Sequence, residues 1–122
     1  MKKDKIIYWV STGLLGLTML MSAYMYVTDP KMEEGFKHLG YSDAFRIELA
    51  IAKVIGVLVL LIPVFSSKIK EWAYAGFGIT FIMATIAHYA ANDPINIVAM
   101  PVFFMIPLII SNIYFSKTKS TL

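Results

Sequence analysis

The chain has 122 residues, of which 58% are hydrophobic and only 16% charged, and its net charge is +3. Soluble domains carry about 25% charged residues, so this composition, with a mean hydropathy of +0.68, points to one domain over residues 1–122 with lipid as its solvent. The absence of cysteine excludes disulfides, thiolate metal sites, thiol redox chemistry and lipoprotein anchoring, and the short basic segments read as topology signals rather than a nucleic-acid surface.

A bilayer core about 30 Å thick takes roughly 20 apolar residues of helix. The first such run is 6–27, without a charge and closed by Asp29-Pro30. Its basic start and Ser22-Ala23 resemble a secretory signal, but Met21 is a poor residue three before such a cut, so the segment is expected to stay as a span. Within 28–43, Pro30 can open a short helix that places Met32, Phe36 and Leu39 on one face, and Gly40 can end it. That predicts an amphipathic helix lying on the outer surface or capping the bundle mouth.

The second run is 44–65, with Pro63 near its exit, and the third is 72–91, ended by Asn92-Asp93-Pro94. The fourth is 95–115, with Pro101 and Pro107 inside it, where the carbonyls freed by proline need partners in the bundle. Lys2, Lys3 and Lys5, then Lys68 and Lys70, then Lys117 and Lys119 fall on one side of the membrane. On the other side, acids offset Lys31, Lys37 and Arg46. The positive-inside rule puts both termini and the 66–71 loop in the cytoplasm of a multi-pass protein of the cell (inner) membrane. Trp9, Trp72, Tyr8 and Tyr114 then lie at the inner boundary, where amphipathic rings belong. The predicted fold is all-α: a membrane-embedded four-helix bundle with a short amphipathic helix in the first outer loop.

Small residues mark close helix approaches. Thr12 and Gly16, Ala52 and Gly56, and the stripe Gly76, Thr80, Ala84 and His88 are therefore expected to face the bundle. Lys53 is the main anomaly, lying about 12 Å below the outer boundary at 1.5 Å per residue. A lysine so placed costs about 2.5–3.5 kcal/mol on insertion scales. Glu48, the nearest acid, is about 140° away around the same helix, so a partner should come from another helix, near His88 and Tyr24.

His88, Glu48, Asn92, Asp93, Asn96, Tyr24 and Tyr26 fall at that same outer level, and the inner half reads as nearly apolar. The candidate ligand-binding residues are thus Lys53, His88, Glu48, Tyr24, Asn92 and Asn96, forming a pocket that opens outward. A purely structural hub at Lys53 is an equal alternative. His38 and His88 are the only histidines and show no metal-binding spacing. No phosphate loop and no convincing nucleophile triad is present, so the chain reads as no enzyme on its own, with no metal and no intrinsic cofactor.

Several stretches together carry a likeness: Tyr8-Trp9 with Ser11-Thr12-Gly13, Leu39-Gly40-Tyr41, Ala52-Lys53 with Gly56, Leu61-Ile62-Pro63, and above all Ile69–Phe77 followed by His88. In these the chain resembles the DoxX-like family of small four-helix membrane proteins. The resemblance implies a four-helix bundle with quinone or lipid contact. Members of the wider family include a membrane subunit of a thiosulfate:quinone oxidoreductase, partners in bacterial oxidative-stress complexes and a chaperone for nicotinic receptor assembly. It carries no catalytic residue over to this sequence. Three functions follow as expectations. The first is a module binding a quinone or lipid-like molecule for a membrane redox system. The others are an assembly partner for another membrane protein and a membrane subunit of an oxidoreductase complex. Expected partners are membrane lipids and another membrane or redox protein, with a homo-oligomer open and nucleic acid excluded.

Overall fold

The computed structural model describes residues 2–120, which form five α-helices and no strand: α1 (Lys2–Thr28), α2 (Pro30–His38), α3 (Asp43–Leu61), α4 (Ser67–Ala90) and α5 (Ile95–Thr118). The four long helices close a ring in which α1 packs on α3 and α5, and α4 packs on α3 and α5. The short α2 lies against α1 and α3. One end of the bundle therefore carries α2 and the 91–94 turn, and the other carries the 62–66 turn and the starts and ends of α1 and α5.

Three helices, α1, α4 and α5, are long and apolar enough to cross a membrane, and the chain is a membrane protein. α3 is 19 residues long, about 28 Å at 1.5 Å per residue, but it carries Asp43, Arg46, Glu48 and Lys53. These charges set it apart in composition from the other long helices.

Local chemistry sets the helix ends. Asp29 alone separates α1 from α2; its side chain caps the Lys31 amide at 3.0 Å, and Pro30 occupies the first turn of α2. Phe36 is buried, Met32 and Leu39 are half-buried, and Gly40 adopts φ +87° just past the helix, as the face pattern predicts. Ser42 caps α3 through the Phe45 amide at 3.1 Å. α3 stops at Leu61, short of the expected exit at 65, because Pro63 holds Ile62 in an extended conformation. α4 starts at Ser67, ahead of the expected 72, because Ser66 caps it through the Ile69 amide; hydropathy alone does not register that cap. α5 runs as one helix through Pro101 and Pro107.

The core is built from Tyr8, Leu15, Met19, Val57, Leu60, Tyr74, Phe77, Phe81, Leu108 and Phe115. Two glycines let α3 approach its neighbours. A Cβ on Gly16 would stand 3.3 Å from Val57 Cγ1, and one on Gly56 would stand 2.7 Å from Phe77 Cζ. The expected stripe Gly76–Thr80–Ala84–His88 does not form the core of α4. That place is taken by Lys70, Tyr74, Phe77 and Phe81, because the large aromatic rings bury more area than the small residues. Tyr8, expected at the boundary with Trp9, is fully buried, whereas Trp9 and Trp72 are exposed.

Candidate functional site

Along α3 the buried positions Arg46, Ala50, Lys53, Val57 and Leu60 recur at spacings of four and three, the period of a single helix face. Lys53 therefore points into the bundle, toward α1. Its Nζ donates to the hydroxyls of Ser22 at 2.8 Å and Tyr26 at 2.7 Å, and it lies 4.0 Å from the centre of the Tyr26 ring. Both partners are neutral, and no carboxylate of the described residues forms an ion pair with Lys53.

Two turns earlier, Arg46 donates through Nη1 to the backbone carbonyl of Tyr26. Its Nη2 is 3.6 Å from Asp43 Oδ1, a carboxylate that is itself exposed. The buried Nε of Arg46 meets no acceptor. One tyrosine thus bridges two buried cations, with its carbonyl toward one and its ring and hydroxyl toward the other.

The expected partners of Lys53 were Tyr24 and His88, and the structure replaces both. Tyr24 is 68% exposed, and at 100° per residue it lies about 200° around the helix from Tyr26, so only one of the pair can face inward. The buried register Tyr8, Thr12, Leu15, Met19 and Ala23 selects Tyr26 and Ser22. His88 instead donates from Nδ1 to Asp93 Oδ2 at 2.6 Å, and His38 of α2 donates from Nε2 to Asp93 Oδ1 at 2.9 Å. These two hydrogen bonds hold the Asp93 carboxyl below the usual carboxylate range.

Glu48, Asn92 and Asn96 are exposed, and Asn92 takes φ 62° as the turn residue after α4. The six candidate residues therefore do not converge on one pocket. They divide into a Lys53 centre, a His88 centre that draws in His38 and Asp93, and exposed positions. No cluster of metal-ligating side chains forms among the described residues.

Beside Lys53, α3 and α4 leave a groove of about 400 Å³, lined by Leu49, Ala52, Lys53 and Gly56 of α3 and by Trp72, Gly76 and Thr80 of α4, among others. Its walls are otherwise almost wholly apolar. Gly76 has open space where a Cβ would stand, so this part of the expected small-residue stripe lines a gap rather than a close contact.

The opposite half of the bundle is not apolar as the sequence suggests. Ser111 Oγ lies 2.5 Å from Thr12 Oγ1 and 2.6 Å from the Tyr74 hydroxyl, joining α5, α1 and α4 in a buried chain. Tyr8 places its buried hydroxyl beside this group without a well-formed hydrogen bond. Near the same end, the buried Lys70 donates to the Leu60 carbonyl at 3.1 Å, which neutralises a C-terminal carbonyl of α3.

A model of the DoxX-like family matches residues 10–111. The chain belongs to the DoxX-like family. That match spans the Lys53 centre, the groove and the His38–Asp93–His88 contact, all of which lie within residues 22–93. No curated protein and no solved structure shows significant similarity to this DoxX-like chain.

Proposed function

We propose that this DoxX-like protein is a binding module for a lipid-like molecule, an isoprenoid quinone or another amphiphile, in the service of a membrane redox system. The observation that carries the reading is the α3–α4 groove. It offers about 400 Å³ of apolar space with a buried lysine at its edge, the pattern of small-molecule sites, which run from about 300 to 1,000 Å³ with few polar groups. The groove takes an apolar tail, and Lys53 stands where a polar head would end. In this reading α3 is the fourth crossing of a single four-span domain, its charges tolerated because Arg46 and Lys53 face protein rather than acyl chains.

The proposed orientation in the cell membrane puts the α2 end outside and both termini in the cytoplasm, following the basic residues. Mass spectrometry of the protein after gentle detergent extraction tests the binding reading: a stoichiometric amphiphile is expected, and its reproducible absence overturns the reading. Cysteines placed at Ser67 and Glu33 should react with an impermeant thiol reagent from opposite sides. Labelling of both from outside overturns the orientation.

A further inference from the structure

We propose that the head group this protein selects is anionic, so that its ligand is an acidic amphiphile bearing a phosphate or carboxylate rather than a neutral one. The inference rests on the reading of the α3–α4 groove as a ligand site and adds the charge of what fills it. Arg46 lies two turns before Lys53 on the same buried face of α3, outside the groove lining. Arg46 and Lys53 are 8% and 5% exposed, and both turn to the same residue, Tyr26.

The acceptors around this pair do not match its charge. An ammonium has three protons to donate; Lys53 gives two to neutral hydroxyls and faces the Tyr26 ring at 4.0 Å, and no further oxygen or nitrogen of the described residues receives the third. The Nε–H of Arg46 is buried with no acceptor. Among the described residues the acid paired with Arg46 is Asp43, which reaches only Nη2, at 3.6 Å from an exposed position.

In a low-dielectric setting, a buried donor without an acceptor costs about 1–3 kcal/mol, and more when charged. An oxyanion ending in the groove at Lys53 supplies the missing acceptor, since charge-assisted hydrogen bonds are about twice as strong as neutral ones, and Arg46 adds a second positive charge on the same face of α3. A quinone carbonyl would accept a hydrogen bond there but would leave the charge uncompensated.

The test uses the full chain in nanodiscs holding equal amounts of phosphatidylglycerol and phosphatidylcholine with identical acyl chains. Native mass spectrometry reads which lipid stays bound on release. Phosphatidylglycerol should be retained over phosphatidylcholine by about tenfold or more, the worth of one charge-assisted contact. Lys53→Gln should abolish that preference while total lipid retention persists. Arg46→Lys, which keeps a positive charge at a position outside the groove lining, should leave it unchanged.

Gly76→Leu fills the groove with a better helix former and should lower retention of both lipids. Equal retention of the two lipids by the wild type, with both reduced in Gly76→Leu, overturns the anionic head group and leaves the groove reading standing. Retention of neither lipid overturns both. Displacement of phosphatidylglycerol by an equal concentration of inorganic phosphate overturns the assignment to an amphiphile, since a site read through head and tail together discriminates against the head alone.

Discussion

Two buried polar clusters, one toward each end of the bundle, are built in opposite ways. At the end away from α2, the hydroxyls of Thr12, Ser111 and Tyr74 satisfy one another at 2.5–2.6 Å, and no formal charge enters the chain they form. At the α2 end, two cations on α3 face neutral partners from α1 and keep donors to spare. Neutral hydroxyls can close a network among themselves because each both gives and accepts, whereas an ammonium or guanidinium only gives. The first arrangement is complete without a ligand and holds three helices together. The second leaves a buried donor without an acceptor among the described residues.

The sharpest test of the closed network is Ser111→Ala, which removes only the hydroxyl and so strips the shared partner from both Thr12 and Tyr74. Two buried hydroxyls lose their acceptor or donor, so a loss of about 2–4 kcal/mol is expected, read by reversible unfolding in mixed detergent micelles. An unchanged unfolding midpoint would mean that this end is held by packing alone.

Gly56→Ala probes the packing between the two ends. The new methyl would sit 2.7 Å from the Phe77 ring, and the displaced ring should cost about 1–3 kcal/mol in the same assay and alter the neighbouring groove. Lys53→Met sharpens the contrast from the other side. Replacing a buried charge that has no buried counter-ion should leave stability within about 1 kcal/mol or raise it, while the preference for an anionic lipid is lost. A large destabilisation with an unchanged preference would make Lys53 a structural hub like Ser111.

The smallest effect is expected at Asp93. Its hydrogen bonds to His38 and His88 favour the ionised carboxyl, so they contribute in full above the usual carboxylate range. Their contribution is lost as the pH falls through the lowered value. Hydrogen exchange of the α2 amides should therefore accelerate only at strongly acidic pH in the wild type and already at neutral pH in Asp93→Asn. Identical α2 exchange in the two proteins would show that Phe36 and its aromatic neighbours hold α2 without this contact.

Hydropathy and punctuation made the helices legible. The apolar runs mark all four long helices, and Asp29-Pro30 with Gly40 marks α2. The ends that moved, at Leu61 and Ser67, were set by a proline's effect on its predecessor and by a serine cap, signals carried by single residues rather than by a window.

The site was legible in part. Lys53 stands out because lipid penalises charge wherever it falls, and this holds whatever its neighbours. Its partners did not stand out, because choosing Tyr26 over Tyr24 requires the rotational phase of α1, and a uniformly apolar helix conceals its phase. The buried run Tyr8, Thr12, Leu15, Met19 supplies that phase once Tyr8 is read as core. Ser111 was hidden for another reason: a lone serine in an apolar span reads as packing until the hydroxyls of two other helices are found on it.

Asp29 is the only residue between α1 and α2, and its amide and carbonyl are both engaged, with Met25 on one side and Met32 on the other. Such a joint is a stiff elbow. It makes α2 a lever about 13 Å long, pivoting at Asp29 and hooked at its far tip where His38 meets Asp93. Tyr26 sits just behind the pivot, in the last turn of α1. The α2 hook at the rim of the bundle is thus separated by one short helix and a single residue from the turn of α1 that holds Tyr26, the residue that touches both Arg46 and Lys53.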